Sequence, residues 1–242
     1  MDTSPIIIHP LRHTSFQEAW DDQKSYLQAL AEGRVDDRLL LLEHDPIITL
    51  GTSGAPSSII SSQESLKEKG VEVVKIERGG DVTYHGPGQL VVYPQVDLKK
   101  KKRDIGWYMR GLEEVVIRTL AQFDIVGNRA VGKTGVWIFH SELNAPNNSV
   151  DKKIASLGVK LSRWCTMHGF ALNVRNCKSG FSVIHPCGFR NIEVTSIEEE
   201  KRGSPPALEE VAEEVTKHFL EVFSYYPSCS KLQEKQVHND RK

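Results

Sequence analysis

Residues 127–140 read GNRAVGKTGVWIFH, and how they are read decides what kind of fold the chain adopts. Gly127, Gly132, Lys133 and Thr134 spell G-x-x-x-x-G-K-T, the pattern of a phosphate-cradling loop. Such a loop must leave a strand and open a helix, whose first amides and dipole hold the phosphates. Here Thr134 is followed by Gly135 and then by Val136, Trp137, Ile138 and Phe139, a strand signal. No later apolar strand ends in an aspartate placed to hold magnesium. The match therefore reads as accidental, a turn entering a strand, with Lys133 binding no phosphate.

Working outward, SPIIIHP near the N-terminus reads as a strand, and apolar residues from Phe16 to Leu30 recur at helical spacing. RLLLLEHDPIITLG gives two apolar runs broken by Asp45-Pro46, which suits two strands or one strand and its extension. A short polar helix ends at Gly70, and the strand VEVVKI follows it. LVVYPQVDL reads as a core strand. An amphipathic helix is expected over 105–123, with Leu112, Val115, Val116, Thr119, Leu120 and Phe123 on one side. Three strand-like pieces come next, GVWIFH, IASLGVKLS and MHGFALNV, and a last helix over 207–223 starts after Pro205-Pro206. Helix and strand intermix without strict β-α-β alternation. The expectation is one mixed α/β domain over residues 1–227, then a polar, loosely ordered tail at 228–242.

A chain of 242 residues with 39% hydrophobic and 26% charged residues can bury a proper core. Its net charge of -1 gives no general reason to expect nucleic-acid binding. The basic run KKKKR at 99–103 reads as a solvated loop, the other reading being long-range steering of an acidic partner. No stretch approaches the length of a membrane helix, and no signal-peptide pattern opens the chain. Four cysteines, at 165, 177, 187 and 229, show neither C-x-x-C pairs nor the density of a disulfide scaffold. A cytoplasm, or an organelle matrix after loss of a targeting peptide, is the expected setting. No His/Cys/Asp/Glu cluster has metal-ligand spacing, so no metal site is expected.

Two stretches carry more chemistry. RGGDVTYHGPGQ at 78–89 holds four glycines, a proline and a histidine, which permit unusual backbone turns and close approaches. It reads equally as a pair of tight turns around a short strand. In FSVIHPCGF at 181–189, Cys187 sits between a rigid proline and a permissive glycine. A reactive thiol there needs a cationic neighbour, because the thiolate is the nucleophile.

Together these stretches resemble the octanoyl-carrier-protein:protein octanoyltransferases, also called lipoyl(octanoyl) transferases or the lipoate-protein ligase B family. The resemblance runs through LLLLEHDPIITLG, RGGDVTYHGPGQLVVYPQVDL, GVWI, KIASLGVKLSRW, MHGFALNV, FSVIHPCGF and EVTSI, in order, over most of 39–197. It implies an α/β (α+β) fold, a mixed, largely antiparallel sheet flanked by helices, shared with biotin and lipoate protein ligases. It also implies transfer of octanoyl from acyl carrier protein to a lysine of lipoyl domains, in 2-oxoacid dehydrogenase subunits or the glycine-cleavage H protein. No cofactor and no ATP are implied, since the incoming acyl group is already a thioester. The resemblance makes Cys187 the acyl-accepting nucleophile and Lys153 the cation that pairs with it and lowers its pKa. Lys152 is the weaker candidate. Arg78, Gly79, Gly80, Asp81, Val82, Thr83, Tyr84 and His85 correspond to the substrate-binding loop. Ser156, Leu157 and Gly158 correspond to a second binding stretch, and Gly169, Phe170 and Ala171 to a third. The alternatives are an ATP-dependent ligase on the same fold, a nucleotide-binding switch at 127–134, and a non-catalytic binder of acyl carrier protein.

Overall fold

A computed structural model describes residues 3–139, 151–175, 178–184, 193–201 and 204–228. In chain order the elements are β1 (Ser4–His13), α1 (Phe16–Ala31), β2 (Arg38–Glu43), β3 (Ile47–Leu50), α2 (Gln63–Glu68), β4 (Glu72–Lys75), β5 (Val82–His85) and β6 (Gln89–Gln95). They continue with α3 (Ile105–Ala121), β7 (Asn128–Ala130), β8 (Lys133–Ile138), β9 (Lys152–Ser162) and β10 (Cys165–Asn173). The last described elements are α4 (Lys178–Phe181), β11 (Glu193–Val194), α5 (Ile197–Lys201), α6 (Leu208–Phe223) and β12 (Tyr225–Pro227).

The larger sheet runs β12-β1-β2-β6-β10-β9-β8-β7, with β11 beside β9. Pairing is antiparallel from β2 through to β7, whereas β1 lies parallel to β2 and β12, and β11 parallel to β9. A smaller sheet, β4-β3-β5, is separate. The run RLLLL explains the layering. Leu39 and Leu41 enter the core under α3 and α6, whereas Leu40 and Leu42 join Ala19 of α1 on the opposite face. A strand buried on both faces needs a continuous apolar run instead of an alternating one. Asp45-Pro46 then takes the chain from one sheet to the other, so the two apolar runs are strands of different sheets.

The long helices begin where the chemistry of capping puts them. Ser15 Oγ accepts from Glu18 N and opens α1, and Asp104 Oδ1 accepts from Trp107 N at 2.9 Å to open α3. Helix α3 ends at Ala121, two residues short of the expected span, although Phe123 still enters the core. The sequence reading missed α4, α5 and the short strands β7, β11 and β12, whose few residues carry no periodicity.

The 127–140 stretch forms a β-hairpin. Ala130 pairs with Lys133 across a two-residue turn at Val131-Gly132, with Gly132 at φ +74, and β8 follows. No helix opens after Thr134. Lys133 Nζ instead lies 3.9 Å from Asp151 and 5.2 Å from the Trp137 ring. The basic run is likewise tied to its own fold. Lys99, Lys100 and Lys102 lie 3.4, 3.1 and 3.0 Å from Asp97, Asp37 and Asp104, and Lys101 donates to the Ser224 carbonyl. Among the described residues no helix is long and apolar enough to cross a membrane. The 140–150 loop, Cys177, His185, Cys187, Cys229 and the tail from 229 lie outside the described residues.

Candidate active site

Strand β9 builds one wall of the site. Its register against β8 shifts between Val136↔Ala155 and Trp137↔Lys153, leaving Ile154 as an extra residue. Ile154 and Ala155 both enter the core beneath α3. Trp137 stands between the core residues Val136 and Ile138, so its side chain takes the other face of the sheet. Lys153, its register partner, lies with it there: Lys153 is only 3% exposed, with Nζ 4.7 Å from the Trp137 ring centroid. The Lys153 carbonyl accepts from Thr195 N at 3.0 Å, which ties β9 to the segment after β11. Cys165, by contrast, is fully buried, with its thiol pushed up to about 11 by burial first and by nearby Asp97 second. It is a core residue.

The RGGD loop lies across β9. Gly79 N donates to the Val159 carbonyl at 2.9 Å. A Cβ at Gly158 would meet the Gly79 carbonyl at 2.8 Å and Arg78 Cδ at 3.0 Å, so glycine is required for this approach. Gly80, at φ +89, turns the loop, and Gly51 N and Ser53 N hold it through the carbonyls of Asp81 and Gly80. Arg78 is buried and donates from Nη2 to the Thr49 carbonyl and hydroxyl, at 2.7 and 3.0 Å. Asp81 accepts from Ser58 Oγ at 3.0 Å. Beyond it Val82–His85 forms β5, so RGGDVTYHGPGQ is folded as turns around a short strand.

Between this loop and strands β6, β9 and β10 lies a cleft. Of the expected binding residues, Arg78, Gly80, Asp81, Val82, Thr83, His85, Ser156, Leu157, Gly158, Gly169, Phe170 and Ala171 all line it. Gly79 and Tyr84 do not. Tyr84 instead packs edge-on against Phe181 at 5.7 Å, filling the small sheet's own core. Phe16, Ile76, Tyr93 and His168 also line the cleft, and sequence reading missed all four. Phe16 and Ile76 look like any core residue in sequence. His168 immediately precedes the Gly169–Ala171 stretch, and that adjacency was its only signal.

The cleft is mostly apolar, and two of the residues that line it are buried histidines. His85 Nδ1 pairs with Gln89 Oε1 at 2.8 Å, and burial foremost, with the neighbouring His44 next, brings its pKa down to about 3. His168 is brought down to about 4, again mainly by burial, with Glu77 partly opposing. Among the described residues, no hydrogen-bond partner reaches the buried His168 Nε2 or Thr83 Oγ1. Strand alternation matters too. His168 N donates to Gln23 Oε1 and the Val159 carbonyl accepts from the loop, so their facing pair makes no ladder bond. Two residues along, the Leu157 N–H therefore also points out of the β9–β10 ladder, between the last β8 pairing at Ala155 and the loop contact at Val159. Among the described residues no group of three or more His, Cys, Asp or Glu is arranged to hold a metal.

The fold is that of lipoate ligases. A putative lipoate protein ligase from Thermoplasma acidophilum with bound lipoic acid superposes with a TM-score of 0.64 at 15% identity, covering 93% of this chain and 88% of that one. A lipoate-protein ligase A bound with ATP gives 0.64 at 15%, covering 93% and 87%. Residues 15–220 match the lipoyl protein ligase A/B catalytic domain, and the chain belongs to that family. An octanoyltransferase of Chloroflexus aurantiacus is 44% identical over 228 residues, 94% of this chain and 98% of that protein. One from Flavobacterium psychrophilum is 40% identical over 229 residues, covering 90% and 96%. Octanoyl transfer is the activity these kinships support.

Proposed function

We propose that this chain is an octanoyltransferase, acting as a single catalytic domain over residues 1–227. It moves an octanoyl group from the thioester of acyl carrier protein to a lysine of a lipoyl domain, the first step of lipoate biosynthesis. The acceptors are 2-oxoacid dehydrogenase subunits or the glycine-cleavage H protein. The observation that carries the reading is a buried lysine, Lys153, on the same strand that supplies Ser156, Leu157 and Gly158 to the cleft.

In this reading the Cys187 thiolate, paired with the Lys153 ammonium, attacks the thioester carbonyl of the donor. The carrier thiolate leaves and takes a proton from Lys153, and octanoyl remains as a thioester on Cys187. The acceptor lysine's amine then attacks that thioester. An amide forms, Lys153 accepts the amine's proton, and the Cys187 thiolate is released. The outward Leu157 N–H suits a donor to the developing oxyanion. The cleft beneath the RGGD loop suits the eight-carbon chain, with Phe16, Ile76, Val82 and Phe170 as apolar wall. A reducing compartment, cytoplasm or organelle matrix, keeps the Cys187 thiol available.

The test is intact-mass analysis after mixing the protein with octanoyl-carrier protein. One added octanoyl, absent in Cys187→Ala, is expected. Lys153→Ala should slow its formation at least about a hundredfold at neutral pH. Acceptor modification that demands free octanoate and ATP would instead support the ligase reading.

A further inference from the structure

Gly135 sits at φ +124, a backbone conformation that residues with a side chain rarely adopt. A Cβ at this position would lie 2.7 Å from the Ala155 carbonyl oxygen, 2.9 Å from Lys153 Cε and 3.3 Å from Lys153 Nζ. The missing side chain therefore leaves the notch in which the Lys153 side chain lies, with the ring of Trp137 beside Nζ. The Gly135 N–H is held in turn: it donates to Glu113 Oε1 at 3.2 Å. Glu113 comes from α3, is 2% exposed, and its other oxygen accepts from Arg110 and Arg129 at 2.7 and 3.2 Å.

A carboxylate at this depth, flanked in sequence by the core residue Leu112, is an expensive choice for stability alone. An apolar side chain would fill the same space more cheaply, but it could not fix the Gly135 amide. We infer that Gly135 and Glu113 are positioning residues for Lys153. Glu113 clamps the Gly135 amide, β8 is thereby held at its register shift, and the notch at Gly135 sets where the Lys153 ammonium lies. This inference rests on the reading of Lys153 as the proton partner of Cys187.

The test is steady-state octanoyl transfer by the full chain, with octanoyl-carrier protein as donor and a lipoyl domain as acceptor. Gly135→Ala should lower kcat by about a hundredfold, the usual consequence of misplacing a catalytic group. The KM for the donor should stay within about threefold, since the cleft under the RGGD loop is untouched. Glu113→Gln still offers an oxygen to the Gly135 N–H and should keep kcat within about threefold, whereas Glu113→Ala should lose about tenfold. A folded Gly135→Ala protein with wild-type kcat overturns the inference, and so do equal kcat values for Glu113→Gln and Glu113→Ala. If Gly135→Ala does not fold, the Glu113 pair decides alone. Lys153→Ala separates the two levels. An inactive Lys153→Ala beside an active Gly135→Ala defeats only the positioning role, whereas an active Lys153→Ala defeats the assignment of Lys153 and this inference with it.

Discussion

His85 and His168 are neutral in the folded protein because each lies in an apolar cleft, far from the water that would stabilise an imidazolium. In the unfolded chain each takes up a proton near pH 6.5. Between that value and the folded ones, about 4 for His168 and about 3 for His85, the unfolded state binds more protons. Stability therefore falls as pH falls through this window, by up to about 1.4 kcal/mol per pH unit for each histidine, and is unaffected above about pH 7. Urea midpoints at pH 7, 6 and 5 should decrease stepwise, and His168→Gln should flatten part of the slope. A midpoint that does not move between pH 7 and 5 would count against the buried neutral pair. The other residue-scale feature, Lys153, was singled out through the family resemblance of KIASLG, and the structure adds that its side chain is buried. His168 was not singled out, since a histidine beside a glycine reads the same in a core as in a cleft.

Among the elements, β8 shows how a motif can be legible and misleading together. The letters G-K-T suggest a phosphate site, but β-branched and aromatic residues after Gly135 favour extended backbone, and the hairpin at Val131-Gly132 follows. The long helices were legible through periodicity and caps. Asp104→Ala should lower global stability by about 1 kcal/mol through loss of the α3 cap, seen as a lower denaturant midpoint at unchanged slope. An unchanged midpoint would mean that packing against α6 alone sets the start of α3. β7, β11, β12, α4 and α5 escaped the sequence reading because elements of two to five residues have no period to detect. Their neighbours in the sheet and core, and not their own residues, decide them.

At the scale of the whole molecule, the cleft exists because the RGGD loop of the small sheet is laid over the large one. Gly51 lets Arg78 and Gly80 approach on one side, and Gly158 lets Gly79 approach on the other. Gly158→Val should push the loop away from β9 and lower kcat/KM for octanoyl transfer at least about tenfold, while the core under α3 and α6 stays intact. Wild-type transfer in that variant would show that the loop need not dock for function. ATP at any concentration should leave the transfer rate from the carrier thioester unchanged, because no acid has to be activated. An ATP-dependent rate would reopen the ligase reading.

The sequence by itself determined the strand-rich mixed fold and the family, because glycine-rich segments in fixed order leave few alternatives. It also pointed to Lys153 and to most of the cleft wall. Only the tertiary structure decided that Phe16, Ile76, Tyr93 and His168 join that wall, since burial toward a cleft and burial toward a core select the same residue types. Only the structure, too, showed why Gly135 must be a glycine. The atoms that exclude its side chain belong to Ala155 and Lys153, twenty and eighteen positions later, and a contact made across two strands leaves no local pattern.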